Sequence, residues 1–310
     1  MASDPVLHVG RDQANLAWDP AIPPVATVES GDVVEFDLLD AGNGQLTASS
    51  IESDLGRMDF ARVDQVNGPV AVAGALPGDT LRVDLLEFEP GTWGWTASVP
   101  GFGLLGDQFP EPALRITRFQ PDASSVEFLP GVRVPMAPFC GVIGVAPAAG
   151  PLPTIPPGAF GGNMDTRHLT AGSSLFLPVF RPGACLSMGD GHAAQGDGEV
   201  CGTAIETRMR AVVRLTVLKG QRLAGPEFLT ADGPPTPAGR RYAVSGVAPD
   251  LLEAARDAVR RMIDWMGREH GLAAVDAYLL SSVAVDLRIS EIVDLPSVIV
   301  TAHCPLSIFD

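Results

Sequence analysis

Lysine is nearly absent from this sequence. Lys219 is the only one among 21 lysine and arginine residues, so any chemistry that needs an amine base or a Schiff-base former has one candidate. That candidate lies in Val217-Leu218-Lys219-Gly220-Gln221, where an apolar run meets a turn, with no serine or cysteine nucleophile beside it. Cysteine is scarce too. Cys140, Cys185, Cys201 and Cys304 form no CxxC pair and no close framework, which excludes a zinc ribbon and a disulfide scaffold and predicts free thiols. No stretch approaches the roughly 18 uncharged apolar residues of a membrane span. The beginning, Met1-Ala2-Ser3-Asp4-Pro5, has neither the basic nor the apolar part of a secretory signal, so a soluble cytoplasmic protein is expected. A basic stripe is also missing. With 37 acidic residues and a formal charge of −16, nucleic acids and anionic membranes are excluded as main partners.

What is present is apolar and rich in turn formers. The 310 residues are 46% hydrophobic, with 34 glycines and 28 prolines, and this suits a folded, loop-rich chain able to bury a core without staples. Val33–Leu39 and Leu81–Phe88 alternate as strands, each introduced by a Gly-Asp turn, Gly31-Asp32 and Gly78-Asp79. Further strands are expected at Leu114–Phe119, Ser125–Phe128, Cys140–Val145, Ser174–Val179, Val200–Thr207 and Arg210–Leu218. The proline-rich stretch from Pro147 to Pro157 can be neither helix nor central strand.

Helical periodicity appears only late. Asp250 can cap a helix running to Met266, with Glu253 completing a capping box, Gly267 ending it, and Leu251, Leu252, Ala255, Val259, Met262, Ile263 and Met266 forming an apolar stripe. A shorter helix from Leu272 to Leu280 and strands at Ala284–Ile289 and Val298–Thr301 follow. The fold class is α+β with β predominant, a sandwich-like or barrel-like β body with a C-terminal α/β portion. Residues 1–147 form an N-terminal β-rich part, and 148–310 a site-bearing β region with the C-terminal helices, the two making one compact unit.

Of five histidines, His192 alone sits among chemistry-bearing neighbours, in Gly189-Asp190-Gly191-His192-Ala193-Ala194-Gln195-Gly196-Asp197-Gly198-Glu199. On extended backbone Asp190 and His192 share a face, and a glycine-rich turn can return Asp197 and Glu199 on the next strand. Three carboxylates around an imidazole suit a divalent cation with an open position for water. Gly161-Gly162-Asn163-Met164-Asp165 supplies a second polar pair just upstream. The same residue types also make an ordinary solvated hairpin, and composition alone leaves both readings open.

These segments, with Ala171–Val179, Pro138–Pro147, Gly68-Pro69-Val70, Pro77–Leu81 and Asp286–Ser290, resemble the acetamidase/formamidase family over nearly the whole chain. The resemblance implies hydrolysis of a small linear amide, formamide or acetamide, to a carboxylate and ammonia, on a β-rich fold assembled as homo-oligomers and associated with a divalent metal such as zinc; carboxylates on glycine-rich turns would suit calcium as well. On physical grounds Asp165, Asp190 and His192 are the expected metal ligands. Glu199 is the expected general base and acid, with His192 also catalytic. Asn163 and Gln195 are expected to bind the amide and Asp197 to orient His192. Amidase mechanisms built on Ser-Ser-Lys or Cys-Glu-Lys are disfavoured by the single lysine, and a Cys140–His192 pair remains as a variant. Two alternatives stand beside this reading. One is a diverged member acting on a larger amide in a pocket lined by Trp93, Trp95 and Phe102. The other is a noncatalytic protein that holds a cation and a small ligand.

Overall fold

The computed structural model describes residues 5–231 and 240–309. Two large sheets dominate it. In spatial order the nine-stranded sheet runs Leu7–Val9, Val33–Leu38, Met209–Leu218, Thr80–Pro90, Ser174–Pro178, Glu227–Leu229, Arg241–Ala248, Val298–Pro305 and Asp286–Glu291. All its pairings are antiparallel except that of Leu7–Val9 with Val33–Leu38. The two strands introduced by Gly-Asp turns flank the same neighbour, Met209–Leu218, and Gly31 (φ 105°) and Gly78 (φ 95°) take the positive φ that these turns require.

The six-stranded sheet runs Gly161–Asn163, Phe139–Val145, Leu186–His192, Val66–Val72 and Ala14–Asn15, with Ala26–Val28 also joined to Val66–Val72. Phe36, Leu81, Val83 and Val213 from the first sheet pack on Val70, Ile143, Leu186 and Met188 from the second, all buried. Each such side chain withdraws enough apolar surface to contribute roughly 2 kcal/mol. The body is therefore a sandwich of open sheets and not a closed barrel, because the larger sheet ends at two strands, Leu7–Val9 and Asp286–Glu291, that do not pair with each other. Both sheets take strands from either side of position 147.

Strands at Ala113–Arg118, Ser125–Leu129, Phe139–Val145, Ser174–Pro178 and Met209–Leu218 form where the sequence leads one to expect them. Val200–Thr207 does not. Gly198 and Gly202 hold φ near +90°, so the chain turns over the end of the six-stranded sheet and makes only isolated bridges there. The stretch from Pro147 to Pro157 is a crossing loop, tied by reciprocal backbone hydrogen bonds between Trp18 and Leu152.

The long helix spans Leu251–His270, four residues beyond the expected end. Gly267 stays helical, at a cost of about 1 kcal/mol relative to alanine. Gly271 ends the helix instead, in the left-handed conformation, its N–H reaching the Gly267 and Met266 carbonyls. Asp250 caps the start by accepting from the Glu253 N–H at 3.0 Å. The buried face also differs from the expected stripe: Ala254, Ala258, Met262, Trp265 and Met266 are buried while Leu252 is exposed. A Cβ at Gly246 would strike the backbone of Ala254 and Ala258, so small residues seat the helix on strand Arg241–Ala248 and turn the larger Leu251 and Leu252 outward. The shorter helix that follows is Ala274–Ala284, and no helix among the described residues is long and apolar enough to cross a membrane.

Candidate functional site

Three neighbouring strands of the smaller sheet deliver the central residues. Phe139–Val145 pairs with Leu186–His192 on one side, placing Phe139 opposite His192, and with Gly161–Asn163 on the other, placing Val142 opposite Asn163. Gly141 lies between them, and its carbonyl accepts the N–H groups of Met164 and Asp165 at 3.0 and 3.2 Å. A Cβ there would collide with the carboxylates of Asp165 and Asp190 and with the His192 ring, so the absence of a side chain lets the two acids converge.

Asp64, Asp165, Asp190 and Glu199 all hold left-handed backbone, with φ of 52°, 43°, 56° and 46°. This conformation costs a non-glycine residue roughly 1 kcal/mol or more and persists where the surroundings dictate it, typically at functional sites. Glu199 sits in a turn closed by hydrogen bonds to Gly196 and from Gly202, and Gly198 N–H is held by the Ser290 carbonyl at 3.1 Å.

His192 is the hub. Its Nε2 lies 2.9 Å from Asp190 Oδ2 and 3.1 Å from Glu206 Oε2, and its Nδ1 lies 3.8 Å from Asp165 Oδ1. Gln195 Oε1 contacts the same Nδ1 at 2.8 Å, and Gln195 Nε2 donates to the Asp165 carbonyl at 2.7 Å. Gln195 is thus committed to protein partners on both ends of its amide. Asn163 Nδ2 donates to Asp294 Oδ2 at 2.7 Å, leaving its Oδ1 unpartnered. Asp197 is not turned to His192: it lies 3.4 Å from His168 Nε2 and 3.2 Å from Arg288 Nη1.

The electrostatics of this cluster are unusual. Asp165, Asp190, His192 and Glu206 are all at most 3% exposed, so water cannot screen them. Burial, reinforced by neighbouring acids, pushes the carboxyls of Asp165, Glu199 and Asp294 well above the usual range, and Glu206 up to about 8. Burial opposes charge on Asp190 too, but the adjacent imidazole outweighs it and holds that carboxyl below its usual value. Likewise burial works against His192, yet Asp190 and Glu206 together raise its basicity well above the ordinary imidazole value. One imidazolium cannot offset this many buried acids. Both oxygens of Asp165 and Oδ1 of Asp190 have no hydrogen-bond donor, and Oε2 of Glu206 has only the His192 Nε2 that it shares with Asp190; such atoms are costly unless a proton or cation meets them.

Two groups share the imidazole: Asp165, His192 and Glu199, and Asp190, His192 and Glu206, each with ligand atoms within 4.8 Å of one another. Oxygen and nitrogen donors converging with unsatisfied lone pairs fit a divalent cation. Glu206, Asp294 and Asp64 were not expected from the sequence. Glu206 lies among apolar neighbours in Ala204-Ile205-Glu206, an acid where burial predicts none, and that was the available signal. Asp64 and Asp294 carry no comparable mark.

A cavity of about 380 Å³ opens over this cluster, with Asp64, Asp165, Asp190, Glu199, Glu206 and Asp294 at its inner end. Cys140 is buried outside the residues that line it, and burial pushes its thiol far up, against a nucleophilic role. Lys219 is elsewhere, donating to Asp79 Oδ2 at 2.8 Å and to the Gly74 carbonyl.

The family model for the acetamidase/formamidase family matches residues 7–153 and 148–310, so it spans almost the entire chain. The chain belongs to the acetamidase/formamidase family. Among similar members of it, a formamidase of Methylophilus methylotrophus is 29% identical, covering 96% of this chain and 90% of that protein. An acetamidase of Mycolicibacterium smegmatis is 31% identical over 68% of each chain. The crystal structure of an acetamidase from Bacillus halodurans superposes with a TM-score of 0.89 at 30% identity, covering 97% of this chain and 98% of that one.

Proposed function

We propose that the cluster around His192 is the active site of an amidohydrolase that cleaves the C–N bond of small linear amides. The observation that carries this reading is the set of buried, unpartnered carboxylates on one imidazole at the base of a cavity, in a chain of the acetamidase/formamidase family. In the net reaction water oxygen bonds to the acyl carbon, the C–N bond breaks, and the nitrogen leaves as ammonia, giving a carboxylate.

The expected ligands Asp165, Asp190 and His192 fall in two donor groups that share the imidazole, so a divalent metal would be held by Asp190, His192 and Glu206 or by Asp165, His192 and Glu199. Zinc suits the imidazole nitrogen, and calcium is the alternative that an oxygen-rich set allows. When bound there, such a cation acidifies water and polarises an amide carbonyl. Glu199 lines the cavity with a carboxyl that burial makes basic, so it is suited to take a proton from water and return it to the leaving nitrogen. Asn163 presents a free Oδ1 in the cavity wall, an acceptor for the amide N–H. Gln195 acts on His192, fixing the ring through Nδ1, and Asp197 supports the Glu199 turn through Arg288 and His168.

Assembly as homo-oligomers belongs to the same reading, supported by exposed Val275, Tyr278 and Leu287 at and before the edge strand Asp286–Glu291. A cytoplasmic setting is supported by four unpaired cysteines. Ammonia release from formamide and acetamide tests the reaction directly. His192→Ala should lower turnover by at least about a thousandfold with far-UV circular dichroism unchanged, and near-normal turnover in that variant would remove His192 from the centre.

A further inference from the structure

The cavity has room for far more than its inner end needs. Formamide and acetamide are molecules of a few heavy atoms, whereas spaces of about 300 Å³ and more accommodate much bulkier ligands. The surplus volume lies against an apolar wall made by Met58, Phe60, Val63, Trp95, Val99 and Phe102, which runs from the carboxylates to exposed Phe60 and Pro100 at the mouth.

This wall is fixed. The Trp95 indole is buried and its Nε1 donates to Asp40 Oδ1 at 3.0 Å, which sets the ring plane. Phe102 lies on the backbone of Gly202, where a Cβ would run into its ring, and Leu104 N–H is held by the Val200 carbonyl at 2.9 Å. The aromatic wall and the Glu199 turn are therefore built against each other. Among the described residues lining the cavity there is no lysine, arginine or histidine. A substrate whose acyl group bore a carboxylate would lose hydration against the apolar wall, with no basic side chain among these lining residues to receive it.

We propose that the site prefers primary amides with an uncharged apolar acyl group, alkyl or phenyl, larger than that of acetamide, and that Met58, Trp95 and Phe102 set this preference. The proposal rests on the amidohydrolase reading. The carboxamide sits at the acidic inner end and the acyl chain extends along Trp95 toward Phe102. Each methylene withdrawn from water against such a wall raises apparent specificity by about threefold to fourfold.

The experiment is ammonia release by the purified full-length protein from acetamide, butyramide, hexanamide, phenylacetamide and succinamate. The expected result is a kcat/KM that rises about threefold per added methylene from acetamide to hexanamide, with phenylacetamide at least about tenfold above acetamide and succinamate below it. Phe102→Ala should lower the ratio of hexanamide to acetamide kcat/KM by about fivefold or more, and Met58→Phe, which narrows the cavity, should lower it as well. Turnover of acetamide equal to or better than that of hexanamide overturns this proposal while leaving the amidohydrolase reading standing. Ammonia release from none of the five amides overturns both.

Discussion

Trp95 and Glu206 exchange two backbone hydrogen bonds, Trp95 N–H to Glu206 O at 2.9 Å and Glu206 N–H to Trp95 O at 2.8 Å. The apolar wall of the cavity and one of its most deeply buried acids are thereby one backbone unit. Gly94 permits it, since a Cβ there would meet the Glu206 carbonyl. His192 forms an antiparallel bridge with the same Glu206 residue, so imidazole, acid and indole are held in series by main chain and not by flexible side chains.

Gly141→Ala should be damaging out of proportion to its size. The added methyl group would occupy the space where the Asp165 and Asp190 carboxylates converge. Turnover is expected to fall by at least about a hundredfold, a loss of roughly 2.7 kcal/mol of transition-state stabilisation, with bound metal reduced in parallel. Elemental analysis and ammonia release on the same preparation check this, and a variant that keeps both would mean the two acids do not share that space.

The orphaned oxygens of Asp165 and Asp190 predict a bound cation. The purified protein should carry at least one equivalent of divalent metal by plasma mass spectrometry. Prolonged chelation should abolish ammonia release and lower the melting temperature, because a ligand held only by the native state stabilises it. Full activity in metal-free protein would exclude a metal from the reaction.

Lys219→Met should leave turnover within about twofold of the parent. The lysine is largely exposed and its pairing with Asp79 is a surface ion pair, worth about 1 kcal/mol or less. Denaturant unfolding should show a small loss of stability. Loss of activity in a folded Lys219→Met variant would reinstate a lysine mechanism.

His303 makes stability depend on pH. It is buried, its Nε2 lies 2.9 Å from Thr301 Oγ1, and its ring meets His168 and Phe228 edge-on. Burial, with help from the neighbouring His168 and Arg288, lowers its pKa to about 3. An unfolded chain binds this proton below about 6.5 while the native one does not, so the contribution is complete above that value and shrinks as the pH falls toward 3. The slope is at most about 1.4 kcal/mol per pH unit. Urea unfolding from pH 7 to 4 should show a shallower acid loss in His303→Gln than in the parent, and identical slopes would assign the proton elsewhere.

Much of this protein follows from local sequence alone. Alternation and turn residues mark the strands Val33–Leu38, Thr80–Pro90 and Met209–Leu218, because a two-residue period with one buried face leaves a readable trace. The single imidazole inside an Asp-Gly-His run likewise marks Asp190 and His192 as partners two positions apart, although Asp190 reaches the ring from left-handed and not extended backbone. Only the tertiary structure places Glu206, Asp64 and Asp294 at the same cavity, joins Trp95 to Glu206, turns Asp197 toward Arg288, and ends the long helix at Gly271 in place of Gly267. Those outcomes depend on which distant backbones meet and on how closely a glycine lets them approach. Spacing along the chain carries no record of that.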